Sequence, residues 1–154
     1  VRENAFDGTS LSSRDVSVSH NGYINAPVQG GVSNVVLSAF VYTNGPLGAF
    51  YHLSTNLVNA GSRSAAAAGL YHHTTQADGT KEGTSTVDIG FHYPAAVMTN
   101  GVVVLSDADG DGLPDCLEDT DGDGNAETGE TNWQESENGT TGGPGLQVFT
   151  PLQP

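Results

Sequence analysis

Two runs of alternating carboxylates, set end to end, are the part of this sequence best equipped for chemistry. The first reads Asp107, Asp109, Asp111, Gly112, Leu113, Asp115, Glu118. With Asp107 as position 1, acids fall at positions 1, 3, 5, 9 and 12, glycine at 6, and the Leu113 carbonyl at 7. This is the ligand order of a 12-residue EF-hand-like calcium loop. The count restarts at Asp119, which puts Asp121 and Asp123 at 3 and 5 and Gly124 at 6. Asn125 then falls at 7, Glu127 at 9 and Glu130 at 12. No residue separates the two loops.

The chemistry implied is coordination. Ca²⁺ takes about six to eight hard oxygens at roughly 2.3–2.6 Å. Alternating carboxylates in a tightly wound loop point inward, and a glutamate at position 12 closes the shell with two oxygens. Mg²⁺ prefers a smaller octahedral shell. Zn²⁺ is disfavoured, because neither loop offers a histidine and only Cys116 offers sulfur. The expected cofactor is therefore Ca²⁺, one ion per loop.

The elements around the loops exclude a helix–loop–helix unit. Val102-Val103-Val104-Leu105 reads as a strand entering the first loop. Asp119 directly follows Glu118, so no exiting helix fits, and only Pro114–Glu118 has room for a single helical turn. Tandem DxDxDGxxD loops without long helices resemble thrombospondin type 3 repeats and related calcium repeats of large secreted bacterial surface proteins. The matching residues are 107–115 and 119–125. Two departures stand out: Glu127 rather than Asp at position 9 of the second loop, and Cys116 where the bacterial versions commonly carry an aromatic residue. Cys116 is read as a small packed hydrophobe, with an intermolecular thiol as the alternative.

The body before the loops carries β signals. Val16–Ser19, Val35–Tyr42 and Val87–Tyr93 are expected strands, the last with Ile89, Phe91 and Tyr93 on one face and Asp88, Gly90 and His92 on the other. Asn21-Gly22, Asn44-Gly45-Pro46, Asp78-Gly79 and Asn100-Gly101 are turn signals, and Ala65–Ala68 suits a short helical turn. An echo links Asn4-Ala5-Phe6-Asp7-Gly8 to Asn21-Gly22-Tyr23-Ile24-Asn25, one β-coil apart. The expected fold is all-β: a short β-solenoid-like body, alternatively a β-sandwich, then a calcium-loop segment with little regular structure. The stretches 45–48, 57–62, 69–75 and 87–93 further resemble the end of β-helical repeat regions in large secreted bacterial proteins, where such regions run into calcium repeats. That resemblance implies an extracellular structural role and names no catalytic residue.

Charge divides the chain. It has 154 residues, 4 Lys+Arg and 18 Asp+Glu, for a net charge of −14. Residues 107–137 hold seven Asp and five Glu with no Lys or Arg. The expected domains are a β-rich body over 1–105, tandem calcium loops over 106–137, and a Gly/Pro-rich tail over 138–154 ending in a short strand, Leu146–Phe149. Four basic residues do not make a phosphate-binding surface, so nucleic acid is not an expected partner. No 18-residue apolar run is present, and membrane insertion is not expected. A start at Val1 rather than Met, with no signal peptide, is what a processed or excised piece would carry. A single cysteine excludes an internal disulfide framework.

No GxSxG, HExxH, P-loop or CxxC motif occurs. His72 and His73 on a strand point to opposite faces and cannot share one metal without distortion. Asp88 and His92 share a face without a nameable third partner. The sequon Asn138-Gly139-Thr140 is what chance supplies in a chain of this composition. The functional expectation is a secreted, non-enzymatic, calcium-stabilised module, extracellular or at the cell surface, serving as a subunit or repeat of a fibre or adhesin that self-associates. The alternative is a carbohydrate-binding or carbohydrate-cleaving β-helix module with a glycan partner. An Asn/Thr/aromatic groove on the body would favour that alternative, while a lyase would need more basic residues than the chain has.

Overall fold

The computed structural model describes residues 2–9 and 17–136. Val16, Glu137, the sequon at 138–140 and the proposed terminal strand Leu146–Phe149 lie outside the described residues. Within them the fold is mainly β, built from small sheets, none of which closes.

Three short strands come first: β1 (Ala5–Asp7), β2 (Gly22–Ile24) and β3 (Val35–Leu37). They pair in parallel in the order β1-β2-β3, with Ala5 opposite Gly22 and Gly22 opposite Val35. Parallel neighbours demand a crossover rather than a tight hairpin between them. Asparagines fix the register. The Asn4 amide donates to Asn21 Oδ1 at 3.1 Å, and the Asn21 amide donates to Asn34 Oδ1 at 3.1 Å. Asn21 Nδ2 also donates to the Ser19 carbonyl at 3.0 Å. Phe6 stacks on Tyr23 one strand further, ring centroids 5.4 Å apart. The echo between residues 4–8 and 21–25 is thus a strand pair in register, and Asn34-Val35, the start of the expected strand Val35–Tyr42, adds a third parallel strand to it.

Because Asn21 is wholly buried and holds the Asn4 amide, Asn21→Ala strands that amide and the Ser19 carbonyl. The expected loss is about 2 kcal/mol or more, read as a lower urea midpoint. A loss below about 0.5 kcal/mol, the level of an ordinary surface change, would mean that the ladder does not set the register.

Beyond β3 the pairing turns antiparallel. Strand β4 (Tyr42–Gly45) pairs antiparallel with β5 (Gly48–His52), and β6 (His73–Thr74) with β7 (Tyr93–Pro94). Strand β8 (Ala96–Thr99) pairs with β9 (Val102–Leu105) across Asn100-Gly101, both at positive φ as a tight two-residue hairpin turn requires. Helix α1 (Ala65–Ala68) is one turn, capped by Ser64 Oγ at its start and by Gly69 in the left-handed region at its end. The core is the buried trio Ile24, Leu57 and Ile89, flanked by Val35, Leu37, Phe40 and Tyr42.

Two expected strands are corrected. Val35–Tyr42 is not continuous: β3 stops at Leu37 and β4 starts at Tyr42. Between them Phe40 packs edge-on against Tyr42 and His52, at 5.1 and 5.0 Å. Val87–Tyr93 is not a half-buried strand either, since Val87, Asp88 and Ile89 are all buried in succession. Gly90 at φ 146° then redirects the chain and leaves Phe91 exposed. Of Val16–Ser19, Ser19 forms only single bridges, to Arg2 and Val32.

Candidate metal centre

Each acidic loop is wound by its own carboxylates. Asp107 accepts from the amides of Gly110 (2.8 Å) and Gly112 (3.0 Å). Twelve residues on, Asp119 accepts from the amides of Gly122 (2.7 Å) and Gly124 (2.6 Å). Asp109 and Asp121 each take the amide two residues ahead, and Asp111 and Asp123 do the same. These Asx turns repeat at the spacing read from the sequence. The glycines at position 6, Gly112 and Gly124, have φ 99° and 90°, a turn that a side chain would strain. Pro114 precedes a single turn, α2 (Asp115–Glu118), in the one place with room for it.

The winding gathers oxygens. Ligand atoms of Asp107, Asp109 and Asp111 lie within 4.8 Å of one another, as do those of Asp119, Asp121 and Glu130, and those of Asp121, Asp123 and Glu127. These groups could hold a metal ion. Among the described residues none of them includes a histidine or Cys116. Like charges this close repel by roughly 1 kcal/mol per pair in water and several times that nearer the protein.

Glu118, at position 12 of the first loop, is only 1% exposed. Neither of its oxygens makes a well-formed hydrogen bond, the Thr131 hydroxyl being the one donor beside them, and Asp109 Oδ2 is likewise buried and unpartnered. Burial pushes the Glu118 carboxyl up to about 7, with Asp109, Asp111 and Asp115 adding repulsion and the Thr131 hydroxyl offsetting part of it. An unpaired buried carboxylate is costly, and a cation among these oxygens removes that cost. The donor set therefore fits a hard divalent cation. In the second loop, Glu130 Oε1 accepts from the Thr120 amide and hydroxyl and from the Asp121 amide. The Thr120 hydroxyl contributes most to holding the Glu130 carboxyl down at about 2. Glu127, hydrogen-bonded to it, is pushed up to about 7.

Not every expected ligand joins the gathered groups. Asp115 turns to the body: Oδ2 accepts from Lys81 Nζ (3.0 Å) and Ser106 Oγ (2.9 Å), and Oδ1 from the Ala108 amide. Burial opposes its charge, and these donors outweigh burial and hold it below the usual carboxylate range. Leu113 and Asn125, expected through their carbonyls, donate their amides to the position-5 aspartates.

His72 is the residue that the sequence reading undervalued. Its ring is buried, with Nε2 3.0 Å from Asp119 Oδ2 and Nδ1 3.7 Å from Asp115 Oδ2. It thus touches both loops at once. Trp133 covers the ring at 4.8 Å, Lys81 lies 5.0 Å over the Trp133 ring, and Trp133 Nε1 donates to the Gly124 carbonyl. Tyr71 donates its amide to the Gly122 carbonyl at 2.9 Å. A Cβ on Gly122 would sit 2.3 Å from the Gly69 carbonyl oxygen, so loop and body meet backbone to backbone. The compositional boundary at 105/106 is therefore spanned by tight packing. Asp88 and His92 meet through Glu82, whose Oε1 accepts from the Asp88 amide and lies 3.0 Å from His92 Nε2. Glu82 is too far along the chain for strand alternation to reveal it.

Compared with family models, curated proteins and solved structures, the chain finds no match in any of the three.

Proposed function

We propose that the protein is a secreted, non-enzymatic β module that holds two Ca²⁺ ions, one in 107–118 and one in 119–130. The observation that carries this reading is Glu118: a buried carboxylate with no charged partner and no well-formed hydrogen bond, at position 12, beside the repelling charges of Asp109 and Asp111. In the first loop the ligands are Asp107, Asp109, Asp111, the Leu113 carbonyl and Glu118, with Asp115 bracing the loop from outside. In the second they are Asp119, Asp121, Asp123, the Asn125 carbonyl, Glu127 and Glu130. The resemblance to tandem calcium repeats of surface proteins supports Ca²⁺ as the ion and the cell exterior as the place.

The three parallel strands and their asparagine ladder support a short solenoid at the start of the body. Its outer strands and the apolar hairpin β8–β9, with Val97, Met98, Val102, Val103 and Val104 exposed, support a subunit or repeat of a self-associating fibre or adhesin. Calorimetry is expected to give two calcium sites with dissociation constants of roughly 10⁻⁴–10⁻³ M, and light scattering is expected to report growth in millimolar calcium. No calcium-dependent heat, or a single site, would sink the two-ion reading. A protein that stays monomeric in calcium would sink the assembly.

A further inference from the structure

A cleft of about 460 Å³ opens on the body, away from the acidic loops, lined by Asn4, Asp7, Thr9, Tyr42, Phe50 and Phe91. That volume falls within the roughly 300–1,000 Å³ of small-molecule sites. Two of its rings are spent on solvent: Phe50 is 59% exposed and Phe91 60%. Phe91 reaches the cleft because Gly90 redirects the chain, and it stands edge-on to Tyr93 at 4.7 Å. Phe50 stands edge-on to Tyr42 at 6.1 Å. Beside the rings are hydrogen-bonding groups that the described residues leave uncommitted. The Asp7 carboxylate, the Thr9 hydroxyl and Asn4 Oδ1 have no hydrogen-bond partner among the described residues.

Exposed flat apolar rings and idle hydrogen-bonding groups in one cleft suit a ligand with apolar faces and a polar rim. Among the described residues no cation lines the cleft, Asp7 repels anions, and the chain carries −14 overall. An anionic ligand is therefore excluded on charge. A quaternary ammonium would use the rings and Asp7 but leave the amide and hydroxyl idle. We propose that this cleft binds a neutral saccharide, its C–H faces against Phe50 and Phe91 and its hydroxyls on Asp7, Asn4 and Thr9. The site is independent of the calcium reading, because none of its residues belongs to either loop.

The test uses the full chain in millimolar calcium. The probes are neutral tetramers of α- and β-linked hexoses and N-acetylhexosamines, with tetragalacturonate as the anionic and choline as the cationic counterpart. At least one neutral tetramer is expected to bind by calorimetry and to shift the Phe50 and Phe91 ring resonances. Phe91→Ala and Phe50→Ala should each weaken that binding about tenfold or more, with melting temperature and calcium heat unchanged because both rings are exposed. Asp7→Asn keeps a hydrogen-bonding group and should hold saccharide binding within a few-fold. Failure of every neutral tetramer to bind, binding that survives loss of both rings, or preference for tetragalacturonate or choline would each overturn the proposal.

Discussion

Chelating calcium is expected to lower the melting temperature by roughly 10 °C and to red-shift the emission of the single tryptophan. Each site filled to ten to a hundred times its dissociation constant adds about 1.4–2.7 kcal/mol to stability. Two sites add roughly 3–5 kcal/mol, at about 2–4 °C per kcal/mol for a chain of this size. The optical change has a structural cause. Trp133 is buried between Tyr71, His72 and Lys81, and its indole N–H holds the Gly124 carbonyl at the turn of the second loop. Loosening that loop removes the wall on one side of the ring. Little else would hold the segment, since Leu117, one of its few large apolar residues, points to solvent. Differential scanning calorimetry and fluorescence before and after EDTA read both quantities. Unchanged emission, unchanged melting temperature and unchanged protease resistance of 106–136 would together refute the linkage.

The second large effect is a reversal of sign at Glu118. In saturating calcium, Glu118→Gln removes a charged ligand and should weaken the first site at least tenfold, lowering the melting temperature by several degrees. In EDTA the same substitution should stabilise the protein by about 1–3 kcal/mol, because it removes a buried charge that no cation compensates. A side chain that merely packs would destabilise in both conditions, so one sign throughout would reject Glu118 as a ligand. Glu135→Gln, exposed and outside both loops, serves as the control and should move neither value by more than about 0.5 kcal/mol.

The loops were legible because a calcium-loop pattern is local: each Asx turn involves residues within five positions of one another, so spacing alone specifies it. The same locality made the Asn100-Gly101 hairpin turn and the single turn of α2 readable. The first strand pair was legible from the repeated asparagine, but the pairing of the third strand was not, because 13 residues rather than 17 separate Asn34 from Asn21. Non-local polar contacts left no trace in the sequence. Nothing near His72 announces two aspartates more than forty residues away, and nothing near Lys81 announces Asp115. Asp115 shows the limit of pattern reading in the other direction: it stands at a ligand position, yet its carboxylate is claimed by body residues. Val87–Tyr93 misled because alternation in sequence predicts alternation in burial only where a strand stays straight, and Gly90 bends this one.

His72 has a mechanical consequence. A tensile load along the chain enters the acidic segment from the body and leaves beyond Trp133. Both loops pack against one imidazole, which has Asp119 Oδ2 3.0 Å and Asp115 Oδ2 3.7 Å from its nitrogens and is itself seated under the indole that closes the segment. Neither loop can therefore lengthen like a link of a slack chain without breaking a contact with the body. Extending the first drags Asp115 from Lys81 and Ser106, and extending the second drags the Gly122 carbonyl from the Tyr71 amide and Asp119 from the His72 ring. The segment's resistance to extension is thus set by residues that lie before it in the chain, Tyr71, His72 and Lys81, as much as by either loop.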